Sequence, residues 1–173
     1  MRDSRLSRGL CGYCGREMTR AGMSRHLGLC EVREGVLEDT LGQNGERVPL
    51  LHVQARDAWT GQYWLNLEVD CTAPLAQLDA YLRAVWLECC GHLSRFSFGG
   101  WAGDEVSMSE RVGRVIHPGV ELTHTYDIGT ETFTMNRGLA VRKGHRTTPR
   151  PITLMARLWS GALSAAAPAV PRP

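Results

Sequence analysis

Hydrophobic and polar positions alternate with a period of two in PLLHVQARDAWTGQYWLNLEV, residues 49–69. Leu51, Val53 and Ala55 alternate with polar neighbours, and the stretch from Trp64 to Val69 does the same. That period puts successive side chains on opposite faces of a strand, so the segment predicts a hairpin turning around Asp57 to Gln62. VELTHTYDIG and ETFTMNRGLAV predict a second hairpin from about Val120 to Val141 with IGT at the turn, and HLSRFSFGGW predicts another strand.

The period changes in TAPLAQLDAYLRAVWLECCG, residues 72–91. Leu75, Leu78, Leu82, Val85 and Cys89 recur at helical spacing, Thr72 and Pro74 suit a first turn, and Gly91 suits the position past the end. One long helix laid across the hairpins follows. The expected fold class is therefore α+β: a mostly antiparallel sheet packed against one long helix, over residues 49–159. Residues 32–48 are polar, hold three glycines and show no sustained period, and read as a linker. From residue 160 the chain is rich in Ala and Pro without aromatics, which predicts a disordered tail.

The remaining segment, residues 1–31, holds CGYCGREMTRAGMSRHLGLC. Its spacing is Cys11-x2-Cys14-x11-His26-x3-Cys30. Two cysteines three apart grip an ion from a tight knuckle, while His26 and Cys30 at i and i+4 share one face of a helix that Thr19 would cap. Three sulfurs and an imidazole favour tetrahedral Zn2+, and with all four positions filled by protein the site is structural. Met18 and Met23 fall where small Cys-Cys-His-His fingers put their core hydrophobes. The segment predicts a ββα-like zinc finger whose folding free energy comes mostly from the metal.

Charge divides the chain of 173 residues unevenly. Residues 1–30 carry six arginines against Asp3 and Glu17, residues 31–136 carry seven arginines against sixteen acids, and residues 137–173 carry six arginines and Lys143 against no acid. Basic ends can hold phosphates that an acidic middle repels. Arg16, Arg20 and Arg25 in the finger, with Arg142, Lys143 and Arg146 in the basic run 136–151, are the candidate nucleic-acid contacts, DNA first. Docking of a partner protein, or of a second copy, is the alternative use of the same surface. No segment is apolar for long enough to span a membrane and the N-terminus has no signal-peptide core, so the expected compartment is the cytoplasm, with reduced thiols.

Candidates for catalysis are weaker. Cys89, Cys90 and His92 stand together at a predicted helix end, where Cys71, His117 or His124 could complete a second metal site. CCxH suits tetrahedral ligation poorly, and Cys89 is in phase with the apolar stripe, so burial explains the group better. Asp127, Glu131 and His124 flank the YDIGT turn, which leaves a hydrolase or nuclease built on His92 or Asp127 as the least favoured reading. No catalytic residue is assigned, and the chain reads as a non-enzyme.

YWLNLEVDCTAPLAQLDAYLRAVWLECCGHLSRFSF, together with GVELTHTYDIGT, resembles the plasmid Ri open-reading-frame-three-like family of insertion-element passenger proteins. The resemblance covers about residues 48–141, most specifically WLECCGHLS, and some members carry a CGYCGREMTRAGMSRH-type finger ahead of the domain. It implies an α+β fold and a mobile-element, nucleic-acid setting without an activity. Relatives that continue from a segment like ITLMARLWSGAL into a second cysteine pair are not followed here, since no cysteine lies beyond Cys90.

Overall fold

The computed structural model describes residues 7–41, 46–87 and 91–158, of which the side chains of 86, 87 and 158 are not part. In chain order these form β1 (Arg8–Cys11), β2 (Glu17–Thr19), α1 (Arg20–Leu27), α2 (Glu31–Asp39), β3 (Val48–Asp57) and β4 (Trp64–Asp70). There follow α3 (Leu75–Leu82), β5 (Ser94–Ser97), β6 (Glu105–Val106), α4 (Val112–Val115), β7 (Glu121–Tyr126), β8 (Thr132–Gly144) and β9 (Ile152–Leu158). The nine strands make one sheet in the order β2-β1-β9-β4-β3-β8-β7-β5-β6, with every neighbouring pair antiparallel.

The two hairpins read from the alternation are present as β3–β4 and β7–β8, and β3 and β8 pair to join them. The expected long helix is not. The α-helical part over 72–91 is eight residues, Leu75–Leu82, and continues as a five-residue π-helical turn, Arg83–Leu87; the other described helices are also short. The α+β class with a sheet packed on one long helix is thus corrected, among the described residues, to a nine-stranded antiparallel sheet dressed by four short α-helices. The cause lies in the period. A π-turn bonds i to i+5, so the apolar stripe loses phase after Leu82: Leu75, Leu78 and Leu82 are buried, but Val85 is only half-buried.

The sheet has two working faces. On one, Leu51, Val53 and Ala55 of β3 stand opposite Val69, Leu67 and Leu65 of β4, and α3 and α4 cover them with Leu75, Leu78, Leu82, Val112 and Val115. On the other, β4 presents Trp64, Asn66, Glu68 and Asp70, all buried. What buries Trp64, Asn66 and Glu68 is the N-terminal segment.

That segment is part of the sheet. The ββα order expected of a finger occurs as β1, β2 and α1, but β1 pairs with β9 through Gly9–Leu158, Leu10–Arg157 and Cys11–Ala156. Met23 and Leu27 of α1 then pack with Cys11, Cys30, Trp64, Met155 and Ala156 into a second core. Gly9 permits this, because a Cβ there would lie 2.5 Å from the Trp64 ring and 2.3 Å from the Arg157 carbonyl oxygen. Helix α2 occupies the first part of the stretch read as a linker, and the expected Ala/Pro tail lies outside the described residues. No described helix is long and apolar enough to cross a membrane.

Candidate metal centre

The knuckle follows directly from β1. The Cys11 N–H donates to the Arg16 carbonyl (3.0 Å) and the Gly15 N–H donates to the Cys11 carbonyl (2.9 Å). Closing so tight a loop requires the left-handed backbone of Gly15, at φ 70°. The Gly12 N–H donates to the Met155 carbonyl (2.8 Å), so β9 fixes the knuckle from beside it. On the far side Thr19 caps α1, its hydroxyl accepting from the Gly22 N–H at 3.3 Å.

Helix α1 ends at Leu27, one turn earlier than an i, i+4 ligand pair would need. Cys30 lies in extended backbone as the residue before α2. Even so, the thiols of Cys11, Cys14 and Cys30 and a ring nitrogen of His26 all lie within 4.8 Å of one another. Cys14 Sγ and His26 Nε2 are 3.2 Å apart. The four residues can therefore hold a metal ion, and among the described residues this is the only such group of three or more His, Cys, Asp or Glu.

The electrostatics grade the ligands by depth. Burial pushes the Cys11 thiol up, although backbone N–H groups of Cys14 and Tyr13 aimed at its sulfur pull the other way. At Cys14, on the surface, slight desolvation is outweighed by the Arg16 N–H, the neighbouring thiols and the Arg16 charge, and its pKa falls below the ordinary thiol value. A cluster in which thiolate is favoured at the rim and sulfur is buried at the base suits a cation that compensates the inner charge.

Around the cluster lies a polar network that ties it to β4. Ser24 Oγ donates to Asn66 Oδ1 (3.2 Å) and accepts from Gln54 Nε2 (2.6 Å), while His52 Nε2 donates to the same Asn66 oxygen (2.8 Å). Arg33, three residues beyond Cys30, donates from Nη2 to Glu68 Oε2 (3.0 Å) and from Nη1 to the Leu27 carbonyl (3.2 Å). Arg142 holds Glu68 in two places, Nε to Oε2 at 2.7 Å and Nη2 to Oε1 at 2.6 Å. Glu68 is 3% exposed, so its charge is neutralised within the protein from both sides.

This placement sorts the six basic residues expected to touch nucleic acid. Arg142 is committed to Glu68, and Arg146 to Asp70, with Nε to Oδ2 at 2.8 Å. Arg20 lies against Gly61, with Nη1 buried, and burial lowers its pKa. Ser24, on the same helix, is turned to the sheet. Arg16, Arg25 and Lys143 are exposed with no acidic partner among the described residues.

The weaker candidates are not drawn to the metal cluster. Cys89 and Cys90 lie outside the described residues, and Cys71 is half-buried with its pKa raised by burial. His92 Nδ1 pairs with Asp127 Oδ2 at 3.0 Å, and Asp127 sits in left-handed backbone at φ 56°. His124 is fully buried, with Nε2 2.7 Å from Asp79 Oδ1, to which Ser94 Oγ also donates at 2.6 Å. Sequence reading missed Asp79 altogether; its signal was an aspartate inside the apolar face of a helix, which demands buried partners.

No family model matches the sequence, and no curated protein matches it. The fold is similar to that in the crystal structure of a protein of unknown function from Methanosarcina mazei Go1, with a TM-score of 0.51 and 18% identity over 63% of this chain and 69% of that one. At that identity the likeness is one of fold.

Proposed function

We propose that Cys11, Cys14, His26 and Cys30 hold one Zn2+ in a structural role, and that the protein is a non-enzymatic module that binds nucleic acid through exposed basic side chains. The observation that carries the first part is the ligand set itself: four protein donors gathered within 4.8 Å fill a tetrahedral shell and leave no position for a reacting water. Three sulfurs with one imidazole select zinc over the oxygen-loving cations. The ion would pin α1 and the start of α2 over β4.

Charge placement supports the second part. The acids Glu68, Asp70 and Asp79 are buried and paired, whereas Arg16, Arg25, Lys143, Arg150 and Arg157 are exposed without an acidic partner among the described residues. Exposed acids lie on α2 at Glu31, Glu34, Glu38 and Asp39, around Asp104 and Glu105, and singly at Glu17 and Glu46. Exposed cations without acidic partners can hold the phosphates of a nucleic-acid backbone. Titrating labelled single-stranded and duplex DNA with the zinc-loaded chain tests the reading: binding that weakens steeply with salt supports it, and no binding of either at low salt rejects it.

A second reading, docking of a partner protein, is favoured by Leu29 and Val32, which are 81% and 50% exposed at the α1–α2 elbow. A complex that survives high salt and is lost on Leu29→Ser would decide for it.

A further inference from the structure

Of the six basic positions expected from sequence, three are exposed without an acidic partner among the described residues, yet β9 and its approach hold others. A cleft of about 250 Å³ opens beside the knuckle, with Leu10, Leu154 and the backbone of Gly12 and Gly15 along it and the Arg157 side chain at its rim. Arg16 follows Gly15 directly. Arg150 lies just before β9, as Arg157 lies near its end, so the two are set roughly 20 Å apart along the strand at ~3.3 Å per residue. The largely buried Tyr81 of α3 feels the charge of both guanidiniums and of no acid.

Two features decide what such a row of cations can take. The cleft is smaller than the ~300–1,000 Å³ of a pocket that encloses a whole ligand, so it fits part of a longer molecule. A finger helix that reads duplex DNA enters the major groove with its exposed face. Here α1 turns Ser24 to the sheet, Met23 and Leu27 to the core and Arg20 against Gly61, so Arg25 is the one arginine left on its exposed face. The geometry points to a single-stranded nucleic acid crossing the protein along this cleft, one sugar or base on Leu10 and Leu154, phosphates on Arg16 and Arg157, and a phosphate several nucleotides farther on at Arg150. This rests on the nucleic-acid reading above and assigns its surface. With no aromatic side chain along the cleft, base identity contributes little and charge dominates.

The experiment is fluorescence anisotropy of the zinc-loaded full chain with a short labelled oligothymidylate and with a duplex of equal length, between ~50 and ~200 mM salt. Three phosphate contacts predict a slope of log affinity on log salt of about −2 for the single strand, at ~0.7 per contact. Arg157→Gln and Arg150→Gln should each flatten the slope by about 0.7. Both glutamine variants remove exposed side chains, and an unaltered melting temperature shows that each has folded. Single-strand binding that ignores both variants overturns the cleft assignment but leaves the nucleic-acid reading standing. Tighter binding of the duplex overturns the single-strand assignment. Absence of binding to either at the lowest salt overturns both.

Discussion

The two faces of the central sheet are closed by different physics. Over Leu51, Val53, Leu65 and Leu67 the cover is α3 and α4, and the contact is apolar throughout. Area removed from water holds that face, at roughly 25 cal/mol per Å². Over Trp64, Asn66 and Glu68 the cover is a short arm, β1 to α2, whose own core is a handful of side chains around Met23 and Leu27. So small an arm cannot supply its ordering entropy from apolar burial alone. It carries a four-ligand cluster and a buried ion network instead. A strand can be buried on both faces with opposite chemistries if the second cover brings its own charges and its own set of residues able to hold a metal ion.

The largest break in this comparison is loss of the ion. Cys11→Ser, which removes a buried ligand at the base of the cluster, should abolish metal binding, worth on the order of 10 kcal/mol in isolated zinc-finger peptides. Hydrogen exchange should then rise in residues 8–39 and in β9, while β3, β7 and α3 stay protected, and rapid exchange everywhere would show that the faces are not separable. Next comes Arg142→Ala, which leaves Glu68 buried with half its neutralisation and should cost about 3–5 kcal/mol in denaturant unfolding. Adding Glu68→Gln should recover much of that loss; additive losses would remove the network from the account.

On the apolar face, Leu67→Ala should cost about 2–5 kcal/mol and leave metal content and the exchange of α1 unchanged. The smallest effect is of pH. Burial outweighs the Asn66 bond that opposes it and holds the His52 pKa below its ordinary 6.5. The unfolded chain therefore takes up the proton first, so the contribution of His52 is present above about pH 6.5 and fades as pH falls below it. Replacement by Gln should flatten that part of a stability–pH curve, and an unchanged curve would show that His52 has no share in it.

What could be read from the sequence was whatever depends on local spacing. The β3–β4 and β7–β8 hairpins come from period-two alternation and turn residues, and the Thr19 cap and the ligand set come from residue types a few positions apart. Long-range pairing left no such mark. Strand β9 carries a short alternation at Ile152, Leu154 and Ala156, but nothing in it announces β1 as the neighbour, so the metal-binding arm read as a separate finger. The helix over 72–91 failed because periodicity cannot register a π-turn. Arg142 and Arg146 looked available because their partners, Glu68 and Asp70, lie 74 and 76 residues away in sequence. Charge counts along a chain do not show which charges are already spent inside.

The measurement that bears most directly on the metal-fastened arm is native mass spectrometry of the chain as purified, beside its Cys30→Ser variant. One zinc ion per wild-type chain and none in the variant is the expected result. Wild-type protein free of metal, or a variant that keeps its ion, would contradict the claim that these four side chains hold the arm to the sheet.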